Sequence, residues 1–211
     1  MTPTQHPSDA TLIAFTSGSL SEGFALVVGC HLTACAECRR KTEIAEIVGG
    51  AVLTGLPAAP LAASSLTAAL SRLDAPPPPA PGMQTRLEET WLPEPLHHYH
   101  LKRWRRIGPG IRQIMVVRKS SGGSARLLRL APGVALPLHG HSGVELACVL
   151  RGSFSDQRGR FGIGDFSEVD DGFRHRPISD PKEECICLVA TSGPLRLYGV
   201  VGRLIQMFLG F

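Results

Sequence analysis

The chain has 211 residues, enough for a small domain joined to a medium one but too many for one small module. Apolar residues make up 43% and charged residues 19%, which excludes a chain disordered throughout. The net charge of +4, from 22 Lys+Arg against 18 Asp+Glu, is too slight an excess to argue for a nucleic-acid-binding surface. No apolar run reaches the roughly 20 residues of a membrane-spanning helix, and the polar stretch from Met1 to Ser8 does not open a secretory signal. These features predict a cytoplasmic protein whose six cysteines stay mostly reduced. Close cysteine pairs then point to metal or redox chemistry rather than to structural disulfides.

In chain order, Ser8-Asp9 marks a helix start, Leu12, Ile13 and Phe15 follow, and Gly18 ends the element. Ser19 and Glu22 have capping-box spacing, and beyond them Phe24, Val27, Val28 and Leu32 share one helical stripe. A third helix is expected from near Cys35, with Ile44, Ile47, Val48 and Val52 as its apolar face and Gly49-Gly50 weakening its end. Pro57 and Pro60 break the chain, and Ser64 or Ser65 caps a short amphipathic helix carrying Leu66, Leu70 and Leu73. The unbroken run Pro76 to Pro79, within Asp74 to Gly82, reads as a semi-rigid polyproline spacer. Lys102-Arg103-Trp104-Arg105-Arg106 is the densest basic stretch and reads as a solvated strand or loop edge. From about Arg112 the residues favour strands: Ile114 to Val117, Leu127 to Leu130, Val144 to Leu150 and Cys185 to Val189, punctuated by Gly and Pro as in a sandwich or barrel. The apolar segment Val200 to Phe211 is expected to dock as a final helix or strand. The expected division is a helical domain over 1–75, a Pro-rich linker over 76–95 and a β domain over 96–211.

His31, Cys35 and Cys38 form H-x-x-x-C-x-x-C. On a helix, positions four apart share a face, and two thiolates three apart suit one zinc. A helix starting at Cys35 also aims backbone N–H groups at the sulfurs. A four-coordinate site needs one more ligand, and His6 is chosen because Cys30, adjacent to His31, points about 100° away. A domain this small has a thin core, so zinc would supply much of its stability. On these four residues the segment resembles the zinc-binding anti-sigma domain. The resemblance implies a module that binds an extracytoplasmic-function-type sigma factor, wedges between its two domains and blocks their access to core RNA polymerase. The stripe Leu66, Leu70 and Leu73 then reads either as a partner-binding face or as core packing.

The second constellation begins at Gly133, followed at fixed spacing by His139, His141, Glu145 and Gly152. The three potential ligands have the same parity, so a strand-turn-strand path turns them to one side. Two imidazoles and a carboxylate suit a divalent first-row metal. Gly164-Asp165 opens a further strand, Gly172 marks a turn, and His175 supplies a third imidazole from an opposite strand. The pattern matches the first cupin motif at every anchor and the second in part. Asp170 stands where many cupins have Pro, and Ser179 where many have Asn. The resemblance implies His139, His141, Glu145 and His175 as ligands of a second divalent metal, with zinc the first candidate.

The fold expected is therefore a multi-domain α + β protein, a small all-α zinc-binding bundle followed by an all-β cupin (jelly-roll) barrel. The pairing resembles the ChrR-type anti-sigma factors. It implies a non-enzymatic regulator forming a 1:1 heterodimer with its sigma factor, without direct DNA binding and without a membrane, whose cupin part answers singlet oxygen or peroxide. Cys185 and Cys187, two apart on a strand, are candidates for redox sensing or small core residues. Cys148 should point away from the ligands. Glu183 and Glu184 read as solvated, and His97, His98 and His100 as a surface loop. The alternative function is a cupin dioxygenase or isomerase with a helical accessory domain. Direct DNA binding ranks last, because no helix-turn-helix recognition helix is apparent.

Overall fold

The computed structural model describes residues 2–73, 76, 91–120 and 123–198. Ser8 Oγ accepts Thr11 N at 3.2 Å and so opens α1, Asp9–Thr16, by satisfying one of its free amides. Gly18, at φ 67°, lets the chain leave the helix in a conformation that other residues avoid. α2, Glu22–Ala34, starts at Ser21, and the Ser19–Glu22 capping box does not form. Ser19 Oγ donates to Ala14 O at 3.1 Å, and Glu22 Oε1 accepts from Tyr99 OH at 3.0 Å, so other partners claim both side chains. α3, Ala36–Thr54, begins at Cys35, whose Sγ accepts Cys38 N at 3.4 Å. It runs through Gly49-Gly50 without a break, although each glycine costs about 1 kcal/mol against alanine. Past Pro57 and Pro60, α4 spans only Ser65–Ser71, and Leu73 lies beyond its end. The proline run after Pro76 and the segment Val200 to Phe211 lie outside the described residues.

A 3-10 helix, Glu94–His98, packs on α2 and buries Leu96, with Leu92 buried just before it. Leu92 falls within the 76–95 segment expected as linker, yet belongs to the core. Among the described residues eleven strands follow: β1 Arg105–Gly108, β2 Ile111–Ser120, β3 Gly123–Leu130, β4 His139–His141, β5 Glu145–Arg151, β6 Phe154–Asp156, β7 Gly159–Phe161, β8 Phe166–Val169, β9 Ile178–Ser179, β10 Cys185–Thr191 and β11 Leu195–Leu197. Six form an antiparallel sheet in the order β1-β2-β3-β10-β5-β8, beside the smaller sheets β7-β6-β9 and β11-β4. The arrangement is a cupin-type jelly roll whose sheets do not close into one continuous barrel.

The central strands β5 and β10 of the large sheet are buried on both faces, and alternation sorts their side chains. Along β10, Ile186, Leu188 and Ala190 join a core with α2, while Cys185, Cys187 and the half-buried Val189 join the inner core with Phe154 and Phe161. α2 lies on β3, β5 and β10, and its Leu26, Val27 and Val28 are buried there. Each such side chain contributes on the order of 2 kcal/mol by leaving water. The helical and β parts therefore share one hydrophobic core. The apolar face of α3 does not join it. Ile44, Ile47, Val48 and Val52 are exposed, Ile47 to 72%.

Candidate metal centres

The first predicted set comes together. His6 arrives on the segment before α1, His31 on the last turn of α2, and Cys35 and Cys38 at the start of α3. One ligand-type atom from each lies within 4.8 Å of all the others. His6 Nδ1 is 3.4 Å from both Cys35 Sγ and Cys38 Sγ. His31 Nδ1 is 2.7 Å from Gly164 O, a contact that only a protonated Nδ1 can make. That leaves His31 Nε2 buried without a hydrogen-bond partner, facing the other three. An orphaned imidazole nitrogen beside two thiols fits a cation held there. Burial holds the His31 imidazole below its ordinary pKa, which favours the neutral, ligating form. Burial, reinforced by Cys35, pushes the Cys38 thiol up to about 12, so without a cation the thiol keeps its proton. The donor set of two thiols and two imidazoles is the zinc type.

The second predicted set is also assembled, all four residues buried. β4 carries His139 and His141, and β5 opens with Glu145. His175 does not come from an opposite strand. It pairs directly with His139 through an isolated bridge, His139 N donating to His175 O at 3.0 Å and His175 N to His139 O at 2.9 Å. Gly172, at φ 94°, turns the chain back to make that pairing. Nδ1 of His139 donates to Pro137 O at 2.8 Å, and Nδ1 of His175 donates to Asp156 Oδ2 at 3.1 Å, so both rings present Nε2 inward. His141 Nε2 lies 3.4 Å from His175 Nε2 and 3.2 Å from Glu145 Oε2. Burial and the neighbouring imidazoles hold His139 at about 4 and His141 at about 3. Burial lifts Glu145 to about 7, against the pull of His175 and of Arg126 and Arg158. The neutral imidazoles of His139 and His141, beside a carboxyl whose ionised form burial disfavours, fit a divalent metal.

Of the other expected residues, Cys185 and Cys187 are buried on the inner face with Sγ atoms 3.5 Å apart. Cys148 lies on the opposite face, towards α2. Ser179, the departure from the usual Asn, is buried, donates to Ala131 O at 2.7 Å and accepts Val134 N at 2.9 Å. Glu184 is not simply solvated, because it pairs with Arg129 at 2.6 Å and Arg151 at 3.4 Å. Leu66, Leu70 and Leu73 are all exposed and take no part in the core. An open groove of about 770 Å³ between α1 and α3 is lined by Ile13, Ile44, Val48 and Leu53.

Sequence reasoning missed the residues that orient the ligands. Asp156, whose side chain is buried, holds His175 and is itself held by Arg158 at 2.7 Å. Burial raises the Asp156 carboxyl, but the hydrogen bonds from His175 and Arg158 outweigh it and keep it below the usual carboxylate range. Arg126, on β3, lowers both the Glu145 and His141 pKa values by its charge. None of the three has a spacing that marks it; Asp156 simply ends β6, and Arg158 lies in the turn that leads to β7.

Residues 94–195 match the family model of the ChrR cupin-like domain. Over 216 residues, 99% of each chain, the sequence is 39% identical to the anti-sigma-E factor ChrR of Cereibacter sphaeroides. The crystal structure of Rhodobacter sphaeroides SigE in complex with the anti-sigma ChrR is similar at a TM-score of 0.74 and 39% identity, covering 90% of this chain and 99% of that one. An RmlC-like cupin from Ralstonia eutropha JMP134 gives a TM-score of 0.43 at 19% identity, covering 47% of this chain and 69% of that one.

Proposed function

We infer the function from kinship: the chain belongs to the ChrR family of anti-sigma factors. It binds an extracytoplasmic-function-type sigma factor in a 1:1 heterodimer and keeps it from core RNA polymerase, acting as a negative regulator of transcription rather than as an enzyme. The observation that carries this reading is the match to a relative named as an anti-sigma factor along 99% of both chains. A relative of the same kind is seen in complex with SigE. The exposed apolar residues of α1, α3 and α4 support the reading, because a face that the chain leaves in water suits a protein partner. On this view residues 1–75 form the sigma-binding domain and 96–211 the sensory domain, joined through 76–95, whose last residues dock in the shared core through Leu92. Leu66, Leu70 and Leu73 extend the contact surface. The protein works in the cytoplasm, without touching DNA or membrane.

Zinc at His6, His31, Cys35 and Cys38 pins the segment before α1 to the corner between α2 and α3, and so shapes the sigma-binding helices. A second divalent metal, zinc as first candidate, sits on His139, His141, Glu145 and His175. The β domain senses oxidative stress of the singlet-oxygen or peroxide kind and triggers release. Cys185 and Cys187, with touching sulfurs in the inner core, are candidate oxidisable groups. Co-purification of the full chain with its sigma factor, with metal quantified, tests this. The expected result is a stoichiometric complex carrying two metals per anti-sigma chain, from which peroxide or singlet oxygen frees the sigma factor. A fully metallated chain that captures no sigma factor overturns the reading.

A further inference from the structure

The segment from Gly164 to Val169 runs from the surroundings of one candidate metal centre to those of the other. At one end lies the helical centre. Gly164 O accepts His31 Nδ1 at 2.7 Å. Asp165 Oδ1 accepts Thr4 N at 2.6 Å and Gln5 N at 3.0 Å, and Phe166 N donates to Gln5 O at 3.0 Å, so the backbone just before His6 is clamped. The Phe166 ring stands edge-on to His31 at 5.5 Å. Glu168 caps α1, accepting from Ser8 N at 3.0 Å and Thr11 Oγ1 at 2.7 Å. The other end reaches the cupin centre. Val169 pairs in register with Glu145. Arg158 donates to Ser167 Oγ at 2.8 Å and Glu168 O at 3.2 Å, and the same guanidinium holds Asp156, the carboxylate that orients His175.

We propose that this single segment, residues 164–169, couples the two metal centres, so that a metal held at His139, His141, Glu145 and His175 tightens the hold of His6, His31, Cys35 and Cys38 on zinc. Partners that fix the orientation of a ligand carry roughly 10–100-fold in metal affinity. Here the carbonyl that orients His31, on Gly164, and the Asp165 carboxylate and Phe166 amide that clamp Thr4 and Gln5 just before His6, lie immediately before or at the start of β8, whose other contacts are Glu145 of the second centre and the Asp156–Arg158 pair. A cation that fixes Glu145 and His175 restrains β8 from one end, and β8 restrains the zinc ligands from the other. Binding couplings are reciprocal, so zinc strengthens the cupin centre by the same factor. If the anti-sigma reading holds, this segment is also the path by which damage at the cupin centre reaches the helices.

The test uses the full chain, without sigma factor, and zinc as the probe. A chromogenic chelator competes for the helical zinc in the unsubstituted chain and in E145Q, which should carry one metal per chain. The comparison is repeated on the E168A background and on D165A. The expected result is about tenfold weaker zinc binding in E145Q, with most of that difference lost in E168A and D165A. Glu168 is exposed, so E168A removes no core contact. Retention of the second metal shows that D165A is folded, and E168A decides alone if D165A is not. Equal zinc affinity with and without the cupin metal overturns the proposal, and so does a difference that survives both substitutions intact. Because no sigma factor enters the assay, failure of the anti-sigma reading leaves this result standing, and the reverse also holds.

Discussion

His31 of the helical part and Gly164 of the β part meet through a 2.7 Å contact between the imidazole Nδ1 and the backbone carbonyl, across 133 positions of sequence. A zinc-type ligand is thus oriented by a turn in the other half of the molecule. The contact fixes which ring nitrogen faces Cys35 and Cys38, and it needs a close approach of the two backbones. Gly164 permits that approach. It sits at φ +85°, and a Cβ there would lie 2.8 Å from Pro3 Cγ and 3.0 Å from Ala34 Cβ.

Gly164→Ala should accordingly destabilise the chain by about 1–3 kcal/mol, the usual cost of forcing a side chain into such a conformation. Zinc should exchange faster from the helical centre while the cupin metal is retained. Denaturant unfolding and zinc release measure the two effects, and an alanine chain as stable as the parent would count against the close packing described.

Cys30 is buried between α2 and the sheet, and burial pushes its thiol from 9.0 to about 12. The folded chain therefore keeps this proton above pH 9, where the unfolded chain loses it. Stability from this group is complete below pH 9 and falls as pH rises from 9 towards 12. Iodoacetamide at neutral pH should leave Cys30 and Cys148 unmodified in the native chain, and Cys30→Ala should flatten the alkaline decline. Rapid alkylation of Cys30 in the native chain would show that α2 leaves the sheet readily.

Ile47 is 72% exposed on α3, so Ile47→Asp should alter stability by no more than about 0.5 kcal/mol. If this face receives the sigma factor, the same substitution should weaken binding at least tenfold, since a charge would be buried without a partner (about 1.4 kcal/mol or more). Isothermal titration against the sigma factor separates the outcomes. Unchanged affinity would place the interface elsewhere.

Asp156→Asn keeps an oxygen acceptor but removes the charge shared between His175 and Arg158. Affinity for the cupin metal should drop roughly 10–100-fold, read by metal content after dialysis against a chelator. Full retention would mean that Asp156 contributes shape alone.

Both groups of candidate ligand residues were legible because metal chemistry demands residue types at spacings that helices and strands impose. His31, Cys35 and Cys38 needed only a helix and a turn, and His139, His141 and Glu145 only strand parity. His175 is expected from an opposite strand, but a turn at Gly172 brings it beside His139 on β4 through an isolated bridge, and parity alone does not say which segments adjoin. The stripe Ile44, Ile47, Val48 and Val52 was read correctly as apolar, but periodicity reports a face and not what covers it. The bonds from Gly164, Asp165 and Glu168 to residues near the other end of the chain have no local pattern at all. They arise only once α2 lies on the sheet.

That placement of α2 has a consequence during synthesis. The sheet that covers Leu26, Val27 and Val28 is completed by β5, β8 and β10, and the carbonyl that meets His31 emerges 133 residues after it. At roughly 5–20 residues per second, the nascent helices wait on the order of ten seconds before that surface exists. Over this interval the apolar side of α2 lacks its sheet, and the corner of α2 and α3 rests on its own short-range bonds, Cys35 N to His31 O, Cys38 N to Cys35 Sγ and Arg39 Nη1 to Thr33 O.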